Sequence, residues 1–137
     1  MLQRRFRIMV VDSHPALRMQ ICSQLRELGY DDLTCAHDGP SALARLKAEP
    51  MDAVIMGVES TDGGGLEALA AIRADPEMRH LPVVVVTARA DPETVKASLA
   101  LGVSGYLIKP PTAAAIGTCL SRALWDNENI ERSGRAA

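Results

Sequence analysis

A chain of 137 residues, 47% hydrophobic and 23% charged, is long enough to bury one core and too apolar for wholesale disorder. Its formal net charge of −2 gives no bulk electrostatic reason to expect nucleic acid or an anionic membrane as a partner. No apolar run approaches the roughly 18 residues that span a bilayer, and the first residues lack a signal-peptide core, so the expected location is cytoplasmic.

Gln3-Arg4-Arg5-Phe6-Arg7 is a short basic run that reads as the solvated start of a strand. Ile8-Met9-Val10-Val11, ending at Asp12, predicts that strand to be buried. Ser13 is expected to cap a helix with His14 and Pro15 in its first turn. Leu17, Ile21, Leu25 and Leu28 form one apolar face of the helix, and Gly29 stops it. Leu33 to Ala36 predicts a second strand. Asp38-Gly39-Pro40 opens a helix with Leu43 and Leu46 directed inward, and Pro50 follows its end.

Ala53-Val54-Ile55-Met56 has nothing polar to interrupt it, as in a strand buried on both faces. It ends at Gly57, and a helix carrying Leu66, Leu69 and Ile72 follows a glycine-rich loop. The four valines 83–86 strongly favour a pleated strand, with Thr87 at its exit. Asp91-Pro92 starts a helix through Val95 and Leu99 that Gly102 ends. Ser104 to Ile108 is the fifth strand, and Thr112 caps a last helix with Ile116, Leu120 and Leu124 on one face.

Five strands alternating with helices predict a parallel sheet covered on both faces. The expected organisation is one domain over residues 1–125 and a polar tail over 126–137 that frays. Cys22, Cys35 and Cys119 have neither metal-ligand nor CxxC spacing, and they read as buried thiols. His14, His37 and His80 are scattered and read as surface residues.

In open α/β sheets the chemistry gathers beyond the carboxyl ends of the strands. Those ends bring together Asp12, Ser13, Gly57, Thr87 and Lys109. Gly57 has no side chain to contribute, and the Gly63-Gly64-Gly65 run lacks the GK[ST] of a phosphate loop.

The order of these segments is similar to that of the receiver domain of two-component response regulators, over roughly residues 6 to 124. "VVDSHPALR" resembles the acidic exit of the first strand, and "GYDDLTCAHDGPSAL" the second strand with its helix. "LPVVVVTA" resembles the fourth strand with its switch threonine, and "GVSGYLIKPP" the fifth strand with its Lys-Pro pair. The resemblance implies a flavodoxin-like, doubly wound (βα)5 fold with five parallel strands and helices on both faces.

Receivers of this family carry a phosphoryl group on an aspartate at the end of the third strand, with Mg²⁺ held by acidic residues beside it. The charge on the phosphoryl oxygens has to be neutralised for a carboxylate to attack, which is the work of the cation and a lysine. By this resemblance Asp12 matches the first acid, and Ser13 falls where the second, metal-binding acid stands. Gly57 falls on the phosphoacceptor itself. Thr87 and Tyr106 match the switch pair, Lys109 the neutralising lysine and Pro110 the proline after it, where a cis bond is compatible.

A pseudo-receiver is therefore expected: a stand-alone signalling module, not an enzyme, acting by protein–protein contact without phosphorylation. No cofactor is expected, and with Asp12 alone Mg²⁺ should bind weakly at best. Lys109 is expected to pair with Asp12. In the family the fourth helix, fifth strand and fifth helix form the docking face, which here draws on Glu93, Lys96, Ala97, Ala100, Tyr106 and Thr112. The partners implied are a histidine kinase, a phosphotransfer protein or another receiver, including a homodimer through that face. Two alternatives remain open. One is a receiver phosphorylated on a substitute such as Glu59 or Asp62, or whose acceptor aspartate was mutated. The other is a sensor holding a small anion at Lys109, Thr87 and Ser13.

Overall fold

The protein is described by a computed structural model over residues 5–58, 64–88 and 92–136, with side chains as far as residue 127. Five strands, β1 (Arg7–Val11), β2 (Asp32–Ala36), β3 (Ala53–Gly57), β4 (Val83–Thr87) and β5 (Gly105–Ile108), form one parallel sheet in the order β2-β1-β3-β4-β5. Between and after them run α1 (Pro15–Glu27), α2 (Gly39–Ala48), α3 (Gly65–Ala74), α4 (Pro92–Ala100) and α5 (Ala113–Ala136). The predicted flavodoxin-like architecture is the one observed.

Alternation along the central strands divides the core into two layers. Ile8, Val10, Ile55, Val84 and Val86 face Ile21, Leu25, Ile116 and Leu120 of α1 and α5. Met9, Val11, Val54, Met56, Val83 and Val85 face Ala42, Leu46, Leu69 and Ile72 of α2 and α3. Because both faces of β1, β3 and β4 are covered, their sequences carry unbroken apolar runs.

Local chemistry sets the helix ends. Gly29 and Gly64 take left-handed backbone conformations, with φ of 98° and 72°, that a side chain would strain. Asp38 Oδ1 accepts the Ser41 N–H at 2.8 Å, and Thr112 Oγ1 accepts the Ala115 N–H at 3.1 Å, so both predicted caps are in place. Asp91 lies outside the described residues.

Three expectations need correction. The cap residue of α1 is His14, not Ser13, and it makes no side-chain cap bond. Asp12 reaches forward instead, and its Oδ1 accepts the His14 N–H at 2.8 Å. On α4 the buried residues are Thr94 and Ser98, whereas Val95 is half-buried and Leu99 is 62% exposed. The stripe lies one residue, or about 100° of helix, from the apolar pair that hydropathy selects. Finally, residues 126–136, expected as a polar tail, carry helical backbone continuous with α5.

Candidate functional site

The sheet order places β1 beside β3 at its centre, and from this pair the chain proceeds to opposite edges. A crevice opens at such a switch point, outside the carboxyl ends of the strands. Asp12 follows β1, Gly57 ends β3, Thr87 ends β4 and Lys109 follows β5. Asp12 is 4% and Thr87 2% exposed, so both belong to the floor of the crevice, while Ser13 is exposed at its rim.

Asp12 is held from several sides. Its backbone N–H donates to the Ala36 carbonyl at 3.2 Å, and its own carbonyl accepts from Arg18 Nη1 at 2.8 Å. Oδ1 takes the His14 N–H and lies 3.3 Å from His14 Nδ1. Oδ2 lies 3.0 Å from Lys109 Nζ, an ion pair rather than a well-directed hydrogen bond. The expected pairing of Lys109 with Asp12 is thus direct. His14 and Arg18 were not anticipated; the clue was the Asp-Ser-His-Pro sequence, since an aspartate two residues before a helix start readily accepts from the backbone ahead.

Lys109 is fixed through its neighbours. Its backbone N–H donates to the Thr87 carbonyl at 2.8 Å, which ties β5 to the end of β4. The Lys109–Pro110 bond is cis, and Gln24 Nε2 of α1 donates to the Pro111 carbonyl at 2.9 Å. Tyr106 is half-buried and packs against the α2–α3 layer of the core.

Gly57 has two close neighbours. A Cβ built on it would lie 2.8 Å from Asp12 Oδ2 and 3.6 Å from Lys109 Nζ, so the ion pair occupies the space into which a side chain would project. On the other side, a Cβ on Gly65 would collide with the Gly57 carbonyl, so the first turn of α3 rests directly on the end of β3. The glycine at 65 is required by this close approach. Glu59, Asp62 and Gly63 lie outside the described residues.

The model of the response regulator receiver domain matches residues 8–120. The chain belongs to the response regulator receiver family. Among the receiver's relatives, the chemotaxis protein CheY-3 of Vibrio cholerae is 36% identical over 115 residues, covering 84% of this chain and 88% of that protein. The chemotaxis protein CheY of Pseudomonas aeruginosa is 34% identical over 110 residues, covering 80% and 89%. The crystal structure of the V. cholerae chemotaxis response regulator CheY4 superposes with a TM-score of 0.76 at 26% identity, covering 88% of the receiver and 99% of that chain. A CheY-like receiver domain protein from Methanospirillum hungatei shares the fold with a TM-score of 0.82 at 22% identity, covering 92% and 98%.

The residues expected on a docking face differ in exposure. Glu93, Lys96, Ala100 and Thr112 are exposed, whereas Ala97 and Tyr106 are half-buried. Leu99 and Ile108, 62% and 46% exposed, add apolar surface on α4 and β5 that the sequence reading had not assigned to this face. Among the described residues no helix is long and apolar enough to cross a membrane.

Proposed function

We propose that this receiver is a pseudo-receiver, a signalling module in the cytoplasm that acts through protein–protein contact without itself carrying a phosphoryl group. One observation carries the reading: β3 ends on Gly57, and Asp12 and Lys109 neutralise each other in the space a side chain there would use. A nucleophile must lie within about 3–3.5 Å of its target and in line with the leaving group. No atom of Gly57 offers one, and the module is a regulator rather than an enzyme.

The donor set does not fit Mg²⁺. A hard divalent cation takes about six oxygen ligands. Asp12 engages one oxygen with the His14 amide and the other with Lys109, and Ser13 offers no second carboxylate. Among the described residues no group of three or more His, Cys, Asp or Glu side chains converges. Phosphoryl transfer is therefore not assigned to this pocket.

The output surface is the face of α4, β5 and α5, which carries the exposed Leu99 and Ile108 together with the exposed polar residues Glu93, Lys96 and Thr112. Apolar side chains ringed by charge are the usual form of a protein contact. Its partners are a histidine kinase, a phosphotransfer protein or another receiver, which the pseudo-receiver engages in a fixed state.

The test is intact mass after incubation with acetyl phosphate and Mg²⁺. The native chain should gain no phosphoryl group, whereas the paired substitution Ser13→Asp with Gly57→Asp should gain one. A phosphoryl adduct on the native chain overturns the reading, and peptide mapping would then locate the substitute acceptor.

A further inference from the structure

Two cysteines far apart in the chain meet in the fold. Cys22 on α1 and Cys35 on β2 place their sulfurs 3.4 Å apart. Cys22 is buried in the core layer under α1, but Cys35 is exposed, contrary to the expectation of three buried thiols. Cys119 packs against the same layer from α5 and has no sulfur partner among the described residues.

The geometry points to a redox modification site: Cys22 and Cys35 form a reversible intramolecular disulfide when a peroxide reaches Cys35. A disulfide requires a sulfur–sulfur distance of about 2.05 Å. From 3.4 Å the pair closes by side-chain rotation and a small movement of α1 against β2. No chain has to unfold to bring the two together.

Exposure divides the roles. Cys35 is the exposed member of the pair; its sulfur attacks a peroxide oxygen, so an S–O bond forms, the O–O bond breaks and water leaves with the thiol proton. Cys35 is then a sulfenic acid. The Cys22 sulfur attacks the Cys35 sulfur, the S–O bond breaks, and the hydroxyl departs as a second water with the Cys22 proton. Two thiols and one peroxide thus yield one disulfide and two waters. Burial, together with the hydrogen bond and charge of Cys35, pushes the Cys22 thiol up to about 12, so Cys22 stays protonated and is not the thiol that meets the oxidant first.

The position of the bond links it to the pocket. Arg18, which holds the Asp12 carbonyl, lies one helical turn before Cys22. Ala36, which accepts the Asp12 N–H, follows Cys35. The disulfide joins the two elements from which the backbone of Asp12 is suspended.

The test uses the native chain treated with hydrogen peroxide. The expected product has lost the mass of two hydrogen atoms, and its free thiols under denaturing conditions fall from three to one. A tryptic digest should join the peptide of residues 19–26 to that of residues 27–45, and a dithiol reductant should restore the starting mass. Cys119→Ser should behave as native. Cys22→Ser should stop at a sulfenic acid on Cys35, trapped by dimedone, and Cys35→Ser should leave Cys22 reduced. Retention of all three thiols, a link to Cys119, or a reducible dimer through Cys35 would each overturn the inference.

Discussion

The ammonium of Lys109 sits 3.0 Å from the carboxylate of Asp12, and a methyl group on Gly57 would touch both. With side-chain exposures of 11% and 2%, the two charges are almost wholly removed from water. Neither could remain there alone, because an uncompensated buried charge is costly.

Lys109→Met should therefore destabilise the fold by about 3 kcal/mol, the lower end of what breaking a buried pair costs, since Asp12 keeps its bond from the His14 amide. Asp12→Asn with Lys109→Met should cost clearly less than the sum of the single changes, because the two charges are coupled. Urea unfolding of the native chain and the three variants measures both quantities. Additive losses would mean that the pair is not a unit.

The contact between Gly65 and the Gly57 carbonyl separates two neighbouring glycines. Gly65→Ala forces backbone against backbone and should cost about 1–3 kcal/mol, as overpacking does. Gly64→Ala would meet Glu67 and Pro40 only at ordinary contact distance but retains a φ of 72°, so strain alone should cost roughly 1 kcal/mol. Thermal melts of the two variants should rank Gly65→Ala as the less stable.

Arg73 closes the opposite end of the sheet. Its Nε donates to the Leu101 carbonyl at 2.7 Å, Nη1 to the carbonyls of Arg79 and Leu81 at 3.1 and 2.7 Å, and Nη2 to that of Gly102 at 3.0 Å. Burial pushes its pKa down from the ordinary arginine value. A lysine cannot reproduce this planar fork. Arg73→Lys should cost about 2–3 kcal/mol in urea unfolding, because partly buried carbonyls lose a charged donor. A loss as small as that of an exposed arginine would show that water replaces the fork.

Asp38 predicts a pH dependence. The Ser41 backbone N–H, followed by its side chain, holds the Asp38 carboxyl below its ordinary 3.8, so the folded chain favours the anion. The sign follows from linkage: the cap's contribution is complete above the ordinary value and is lost as pH falls through the lower folded value. The stability gap between native and Asp38→Ala should be full at neutral pH and shrink as the pH is taken below the ordinary carboxyl value of 3.8. Denaturation of both proteins at neutral and at acid pH measures it.

Much of this was legible because strands covered on both faces write themselves as apolar runs, and the first polar residue after each marks the crevice. Asp12, Thr87 and Lys109 were found in that way. α4 was not, because Thr94–Ser98 and Val95–Leu99 have the same spacing, and only the position of the sheet decides which pair turns inward. Hydropathy favours the second pair, and close packing takes the smaller one. The support given by His14 and Arg18 was hidden for a different reason. It depends on the turn after β1, where the His14 N–H donates to Asp12 and not to the serine whose identity suggested a cap. The meeting of Cys22 and Cys35 was equally invisible, since it arises from the packing of a helix on its neighbouring strand.

The inward face of α4 has an energetic consequence. Thr94 and Ser98 bring little hydrocarbon into the core, and the Ser98 hydroxyl finds no hydrogen-bond acceptor or donor among the described residues. The largest apolar side chain of this helix, Leu99, is spent on the outside. α4 is thus the least firmly seated helix on the sheet, able to detach and reseat while β1, β3 and β4 stay closed. Its amide hydrogens should be traded for deuterium well before those of the Ile116–Leu120 turns of α5, and a partner that grips Leu99 would hold this helix on the sheet.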